Sequence, residues 1–331
     1  MLEILGVDTS DEARLRDWYD AWVASQSHRP PELLESWENA RVALPRPHPH
    51  FDLRLVVARD GAVTMGAGLL NLPFRANPTV GYAELGTRPE HRRRGVGTAL
   101  LHEIERQARE AARDRVLFEI CTPPGETTDG VPFAEARGYS LANREETKAV
   151  DLDESEPRWA ALEGQAEAAR GDYRVQVWRD AVPDEYLELF VGLLGRFMSM
   201  VPQGDLDLED GEWTVDGFLE GERRRAEIGG AIITAVAVAP DGTLAGASDI
   251  RLVTHDPRVA HVGITMVLPE HRGHRLGLAT KLASHRALRA AFPECRLVDT
   301  SNADVNAPMN AINEALGYRV LEDLLEYHRR I

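Results

Sequence analysis

At 331 residues the chain is about two domains long on the usual ~150 residues per domain, and its 43% hydrophobic and 28% charged residues suit a folded protein rather than a disordered one. Lysine plus arginine total 38 against 54 aspartates and glutamates, a net charge of −16 that disfavours a sequence-independent grip on nucleic acid. The opening residues carry no basic stretch followed by an apolar one, and no run approaches ~18 apolar residues, so no membrane partner is expected and the location is taken as cytoplasmic.

In chain order, residues 11–24 place Leu15, Trp18, Tyr19 and Trp22 at helical spacing behind the N-cap candidates Asp8, Thr9 and Ser10. LRLVVARDGAVTMGAGLLNL reads as two strands around Asp60-Gly61, and TVGYAELGT as a third. An arginine- and glycine-rich turn follows, then a helix from about Gly97 to Ala112 and the strand RVLFEICT from Arg115. DLDESEPR, from Asp151 to Arg158, is acidic and turn-prone and reads as a boundary. The second half repeats the order: AIITAVAVAPDGTLAGASDIRLV, HVGITMVL, a turn, a helix to about Ala291, the strand RLVDTS, and the helix NAPMNAINEAL before Gly317, which suits a left-handed cap. The cysteines, Cys121 and Cys295, sit in no CxxC or Cys/His cluster, so reduced thiols and no metal site are expected.

The repetition extends to individual residues. RPEHRRRGVGTALLHEIERQAR starts at Arg88 and LPEHRGHRLGLATKLASHRALR at Leu268, 180 residues on, while ARGYSL at Ala136 and ALGYRV at Ala315 are 179 apart. Two anchors in one register describe two copies of one α+β domain, expected at residues 1–152 and 153–331.

Arg92-Arg93-Arg94-Gly95-Val96-Gly97-Thr98 stands between a strand and a helix. The glycines let the backbone turn tightly and leave the first helical N–H groups free, and the helix dipole and arginines add positive potential, so a diphosphate is the natural ligand. A GxxxxGK[ST] loop is absent, and Leu100 stands where a dinucleotide fingerprint wants its third glycine. A solvated arginine run capping a helix is the plain alternative.

These segments resemble the GNAT superfamily of acyl-CoA-dependent N-acyltransferases, whose signature is [QR]-x-x-G-x-[GA] between the fourth strand and the third helix. Arg92-x-x-Gly95-x-Gly97 matches in full, whereas Arg272-Gly273-His274-Arg275-Leu276-Gly277 has Arg275 for the middle glycine. The resemblance implies two GNAT domains in tandem, each a mixed, mostly antiparallel sheet flanked by helices. It implies acetyl-CoA as co-substrate, giving its acetyl group directly to an amine in a ternary complex. By the same likeness, backbone groups around Leu85 and Thr87, or Thr265 and Val267, hold the thioester and pantetheine. The second family signature, N-x-x-A-x-x-[LF]-Y, is matched in part from Asn306 to Asn313, which implies Asn306 on the pantetheine. Asn313 replaces the tyrosine that commonly protonates the departing thiolate, and Thr127 and Ala134 stand at the two matching positions of the first half. A thiol with a pKa near 8.5 can leave with help from water or a distant donor.

The attacking amine must lose a proton, and a carboxylate raised by apolar neighbours can take it. Glu84 is the first candidate, because it shares a strand face with Val80 and Tyr82 near the expected thioester. Its counterpart at +180 is Ile264; Glu119 and Asp299, again 180 apart, give both halves a carboxylate on the next strand, and His255 and His261 are alternative bases. Gly204 to Glu212 is strongly acidic where the first half has SQSHRPPE, and by the resemblance it overhangs an acceptor pocket and draws in a cation. Met198, Met200 and Pro202 beside it suit an apolar wall or core packing equally. The expectation is an N-acetyltransferase for a small, cationic primary amine. The second half, richer on the acceptor side, is expected to carry the reaction, with a non-catalytic acyl-CoA sensor or scaffold as the alternative.

Overall fold

The computed structural model describes residues 1–206, 208, 209 and 213–331. In order they form β1 (Leu2–Gly6), α1 (Glu12–Ser25), α2 (Trp37–Ala43), β2 (Phe51–Asp60), β3 (Val63–Pro73), β4 (Val80–Thr87), α3 (Val96–Glu110), β5 (Arg115–Thr122), α4 (Gly130–Glu135), β6 (Ser140–Asp151) and α5 (Leu152–Ala169). Then come β7 (Arg174–Arg179), α6 (Leu187–Leu194), α7 (Val215–Glu227), β8 (Gly230–Val238), β9 (Leu244–Val253), β10 (Asp256–Val267), α8 (Leu276–Ala291), β11 (Leu297–Ala303), α9 (Ala307–Leu316) and β12 (Arg319–Arg330).

Local capping chemistry sets several of these boundaries. Helix α1 starts one residue later than the N-cap candidates Asp8, Thr9 and Ser10: Asp11 accepts from the amides of Ala13 and Arg14, while Asp8 closes the preceding turn through the amide and hydroxyl of Ser10. The acidic stretch expected as a boundary is the first turns of α5 instead. Asp151 caps the helix by accepting from Asp153 N–H at 2.8 Å, and Asp153 and Glu154 complement its positive end, so their charge favours helix over linker. Gly317 ends α9 in the left-handed region, φ 92°.

Two compact units partition the chain. Unit 1 holds residues 1–145, the described residues of 203–209, and 322–331; unit 2 holds residues 146–202 and the described residues of 213–321. This differs from a single cut after residue 152, and the reason is strand pairing. Strand β12 runs antiparallel to β5 from Asp323 opposite Thr122 to Arg330 opposite Arg115, so residues late in the chain complete the sheet of unit 1. Residues 140–145 of β6 belong to unit 1 and 146–151 to unit 2.

Within unit 1 the strand order is β1-β2-β3-β4-β5-β12-β6, with β4 and β5 parallel and the pairs from β1 to β4 antiparallel. Alternate residues of β2 face opposite sides. Val56 and Ala58 join Val96, Leu100 and Ile104 of α3, whereas Leu55 and Val57 join Leu15, Trp18 and Ala21 of α1. Unit 2 repeats the plan as β6-β11-β10-β9-β8-β7, with β10 and β11 parallel. Helices α5 and α8 cover one face through Leu152, Trp159 and Leu282, and α6 covers the other through Phe190, Leu193 and Leu194. Truncating a fully buried leucine such as Leu100 costs about 2–5 kcal/mol.

Candidate active site

In unit 1 the turn before α3 is led by Gly95 at φ 83°, a left-handed conformation that favours glycine, and no side chain caps the helix. The first-turn amides of Val96, Gly97 and Thr98 are therefore available to an anion. Arg93 and Arg94 are exposed, while Arg92 turns inward and donates to the carbonyls of Thr87 at 3.4 Å and Ser25 at 3.3 Å, bracing the turn against β4 and the end of α1. A cation that sequence reasoning missed also stands here: Arg137 donates to Thr98 Oγ1 and stacks 3.7 Å over the Phe133 ring, beside Gly97. Parallel pairing of β4 with β5 runs only from Val80–Arg115 to Ala83–Phe118. Glu84, Leu85 and Thr87 lie beyond it, on a strand edge that β5 no longer occupies. A bare helix start, arginines and an open strand edge fit the diphosphate and pantetheine of acyl-CoA.

That edge leads to a cavity of about 340 Å³ on the α1 face of the sheet, walled by Trp18, Tyr19, Trp22 and Leu69 and bounded by Arg29, Glu84, Glu119 and Cys121. The carboxylates predicted as bases, Glu84 and Glu119, are brought together here. Trp22 Nε1–H donates to Glu84 Oε2 at 3.2 Å; burial raises this carboxyl's pKa, against that bond and the charge of Arg29. Glu119 is raised to about 8, first by desolvation and then by the charges of Glu84, Glu326 and Glu145. Its side chain opens onto the cavity and is enclosed by protein on its other sides, so desolvation leads the upward shift and the facing carboxylates add to it. Glu326 lies directly opposite Glu119 on β12, and Asn143 Nδ2 donates to it at 2.6 Å. No motif or spacing marks Glu322 or Glu326, which reach the site only through the pairing of β12. Glu322 is buried and holds Arg29 in a two-bond fork of 2.7 and 3.0 Å. Burial pushes the Cys121 thiol far up, which makes it a poor nucleophile. Gly86 permits the close seat of α1, because a Cβ there would lie 1.9 Å from Ser25 Oγ.

The matching features of unit 2 are engaged internally. Arg275, at φ 51°, starts α8 without a side-chain cap, and its Nη1 donates to Gln165 at 2.7 Å. Gly273 is left-handed at φ 90°, His274 packs against the Tyr173 ring, and Arg272 points back toward Val267 O at 3.5 Å. Leu276 is buried, and a Cβ on Gly277 would meet Ile312 at 3.1 Å. Strand β10 has a register shift between Val262 and Thr265 that unit 1 lacks in its described β3–β4 pairs. Asp249 Oδ1 takes the freed amides of Gly263 and Ile264 at 3.1 and 3.2 Å, Arg251 pairs with Asp249 at 3.0 Å, and both crowd Gly263. Thr265 Oγ1 bonds Ser248 at 2.9 Å. Asp299 bonds the His261 ring and does not join the carboxylates of unit 1. Asn306, expected on pantetheine, accepts from Met309 N–H as the N-cap of α9.

Asn313 is fully buried and accepts from Lys281 Nζ at 2.6 Å; its amide donates to Asn302 at 2.9 Å, Asn302 donates to Asn310 at 2.8 Å, and Lys148 donates to Asn310 at 2.7 Å. Desolvation, reinforced by Lys148, lowers Lys281 to about 7. His285, lowered to about 3, is neutral at pH 7, so its Nδ1–H donates to Lys281 O and its Nε2 accepts from Tyr318 O–H at 2.8 Å. Of the acidic stretch from Gly204 to Glu212, Asp207, Asp210, Gly211 and Glu212 lie outside the described residues, as does the Met198 side chain. The described part belongs to unit 1 and not to the second half: Leu206 is buried with Val80, Leu117 and Ala142, and Asp205 N–H donates to Ala142 O at 2.8 Å. Met200 packs into the core beside α6.

Comparison with known proteins bears on family and fold. The acetyltransferase (GNAT) family profile matches residues 13–139. Mycothiol acetyltransferase of Saccharomonospora viridis is 28% identical over 253 residues, covering 74% of this chain and 73% of that protein. A tandem GNAT protein from the clavulanic acid biosynthesis pathway superposes with a TM-score of 0.82 at 26% identity, over 100% of this chain and 98% of that one. Residues 13–139 carry the GNAT family profile, and the chain as a whole is similar to a tandem GNAT protein. A GCN5-related N-acetyltransferase from Sphaerobacter thermophilus, 16% identical with a TM-score of 0.66 over 99% of this chain and 95% of its own, shares the fold. Proteins of the GNAT family use acyl-CoA as co-substrate, and the match supports an acyltransferase. No helix among the described residues is long and apolar enough to cross a membrane.

Proposed function

We propose that unit 1 is the catalytic domain of an acyl-CoA-dependent N-acyltransferase, which moves an acetyl group directly to the primary amine of a small acceptor held over Glu84 and Glu119. The observation that carries this reading is the carboxylate pair at the mouth of the β4–β5 opening, in a cavity walled by tryptophans. The expectation that the second half reacts rested on the acidic stretch, whose described residues pack in unit 1.

The bound co-substrate supplies an activated thioester. The amides opening α3, with Arg137 beside them, take its diphosphate, and the open edge of β4 at Leu85 and Thr87 aligns the pantetheine toward Glu84. Glu119, with its pKa near 8, removes a proton from the acceptor ammonium and leaves a neutral amine able to attack. As the new C–N bond forms and the C–S bond breaks, the second amine proton ends on the thiol through solvent. Ala134 stands at the position of the family's tyrosine and is buried, so no side chain there donates that proton. Direct transfer is favoured over an acyl-enzyme because Cys121, on the cavity wall, is held as an un-ionised thiol.

The test is release of free CoA thiol from acetyl-CoA across a panel of primary amines. Amine-dependent release that is lost in Glu119→Gln is the expected result. Binding of CoA with no amine-dependent release would make the protein a sensor, the reading favoured by the missing tyrosine.

A further inference from the structure

We infer that the acceptor is a zwitterion, an α-amino acid or a compound ending in one, whose carboxylate is taken by Arg29 while its ammonium faces Glu84 and Glu119. This rests on unit 1 being the acceptor site and adds what that site recognises.

Arg29 lies shortly after α1 and borders the cavity. Its Nε and Nη2 each give one hydrogen to Glu322, a fork that fixes the plane of the guanidinium. A guanidinium carries five N–H donors, so this pairing leaves both hydrogens of Nη1 and one of Nη2. Among the described residues Nη1 has no hydrogen-bond partner. The remaining Nη1–Nη2 edge is a second fork of the width a carboxylate fits.

Charge points the same way. The Arg29–Glu322 pair is neutral as a unit, and Glu84, Glu119 and Glu326 face the same part of the sheet, so a cation is attracted there. Arg29, Glu84 and Glu119 line the same cavity, which places its charge close to theirs. A simple polyamine brought to that spot would meet a guanidinium as well as the carboxylates. A group with its own carboxylate next to its ammonium satisfies both. At about 340 Å³ the cavity is at the small end of ligand pockets, and Trp18, Trp22 and Leu69 offer an apolar wall for a side chain.

The experiment uses the full chain with the twenty standard L-amino acids and their matching amino amides, which keep the amine and lose the carboxylate. Binding to the CoA-loaded protein is read by calorimetry and transfer from acetyl-CoA by thiol release. The wild type is expected to favour at least one amino acid over its amide by at least about 100-fold in both readouts, since a site built around a hydrogen-bonding group rejects the analogue lacking it. Arg29→Gln is expected to erase that preference, lowering kcat/KM for the acid about 100-fold while moving the amide less than about 3-fold; Arg29→Lys, which keeps charge without the fork, is expected to fall between. Equal loss for acid and amide in Arg29→Gln, or no carboxylate preference across the set, overturns the inference and leaves the catalytic reading standing. Carboxylate-dependent binding without any transfer supports the inference and counts against catalysis by unit 1.

Discussion

Around the same turn the two units have made opposite uses of polar side chains. In unit 1 the residue before the helix is a bare glycine, and the strand beside it opens onto carboxylates that face a cavity. In unit 2 Arg275 is tied to Gln165, Asp249 and Arg251 stop the bulge of β10, and the polar chain from Lys281 to Lys148 is satisfied inside the fold. Unsatisfied or strained polar groups aimed at open space are what a site needs, and satisfied ones are what a scaffold needs. The repeat keeps its backbone while its side chains decide between these ends.

The comparison breaks most visibly at the turns. Gly97→Glu puts a carboxylate at the proposed diphosphate site and is expected to cut turnover by about 10³-fold or more with secondary structure kept, whereas Arg272→Ala in unit 2 is expected to stay within about 2-fold. Native mass spectrometry should show one CoA per chain in the wild type and none in Gly97→Glu; one CoA retained in Gly97→Glu would move the co-substrate site to unit 2.

Next in size is Glu119→Gln, expected to lower kcat/KM about 100-fold. The wild-type kcat/KM should rise with pH and level off above about 8, because the base must be unprotonated to act, and the variant should lose that limb. Glu84→Gln removes a neighbouring negative charge and should move the limb to lower pH, the two carboxyls titrating as a coupled pair. An unmoved limb would remove Glu84 from the pair. Glu119→Gln should also be the more stable protein at pH 9, where the raised pKa makes an ionised Glu119 unfavourable in the folded state and not in the unfolded one.

Unit 2 is read through stability. Lys281 has a lower pKa folded, about 7, than its ordinary 10.5, so its cost to folding is full below pH 7 and fades as pH rises toward 10.5. Wild type should therefore gain stability relative to Lys281→Met between pH 7 and 9.5, by roughly 3 kcal/mol at most, in urea unfolding. Parallel pH dependence of the two proteins would mean that the ammonium is not held as described. The smallest effect belongs to Arg275→Gly. Relief of a left-handed non-glycine residue, about 1 kcal/mol, offsets loss of the Gln165 bond, and turnover is expected to be unchanged.

The repeat, the turn and the two strand carboxylates were legible because each is local: PEHR recurs at a fixed offset, glycines mark the turn, and Glu84 and Glu119 sit on strands with clear alternation. What could not be read is what depends on pairing at a distance. A strand such as β12 carries no label for the sheet it joins, so Glu322 and Glu326 looked like ordinary acidic residues, and Arg29 lies 293 positions from its partner. The acidic start of α5 misled for a related reason, since Asp and Glu suit a turn and a helix N-terminus alike. Asn306 kept the family's residue type but was taken by a capping bond that spacing alone does not distinguish from a ligand contact.

The seat of β12 beside β5 also fixes an order of events in the making of the protein. Residues 322–330 leave the ribosome after all of unit 2, so the first half, although translated first, lacks both Glu326 and the residue that orients Arg29 for the roughly ten to forty seconds of remaining synthesis. The acceptor side of the proposed site is therefore assembled after unit 2. A nascent chain that has not yet reached β12 has a turn ready for the co-substrate and no finished acceptor site, which ties the onset of the proposed chemistry to synthesis of that strand.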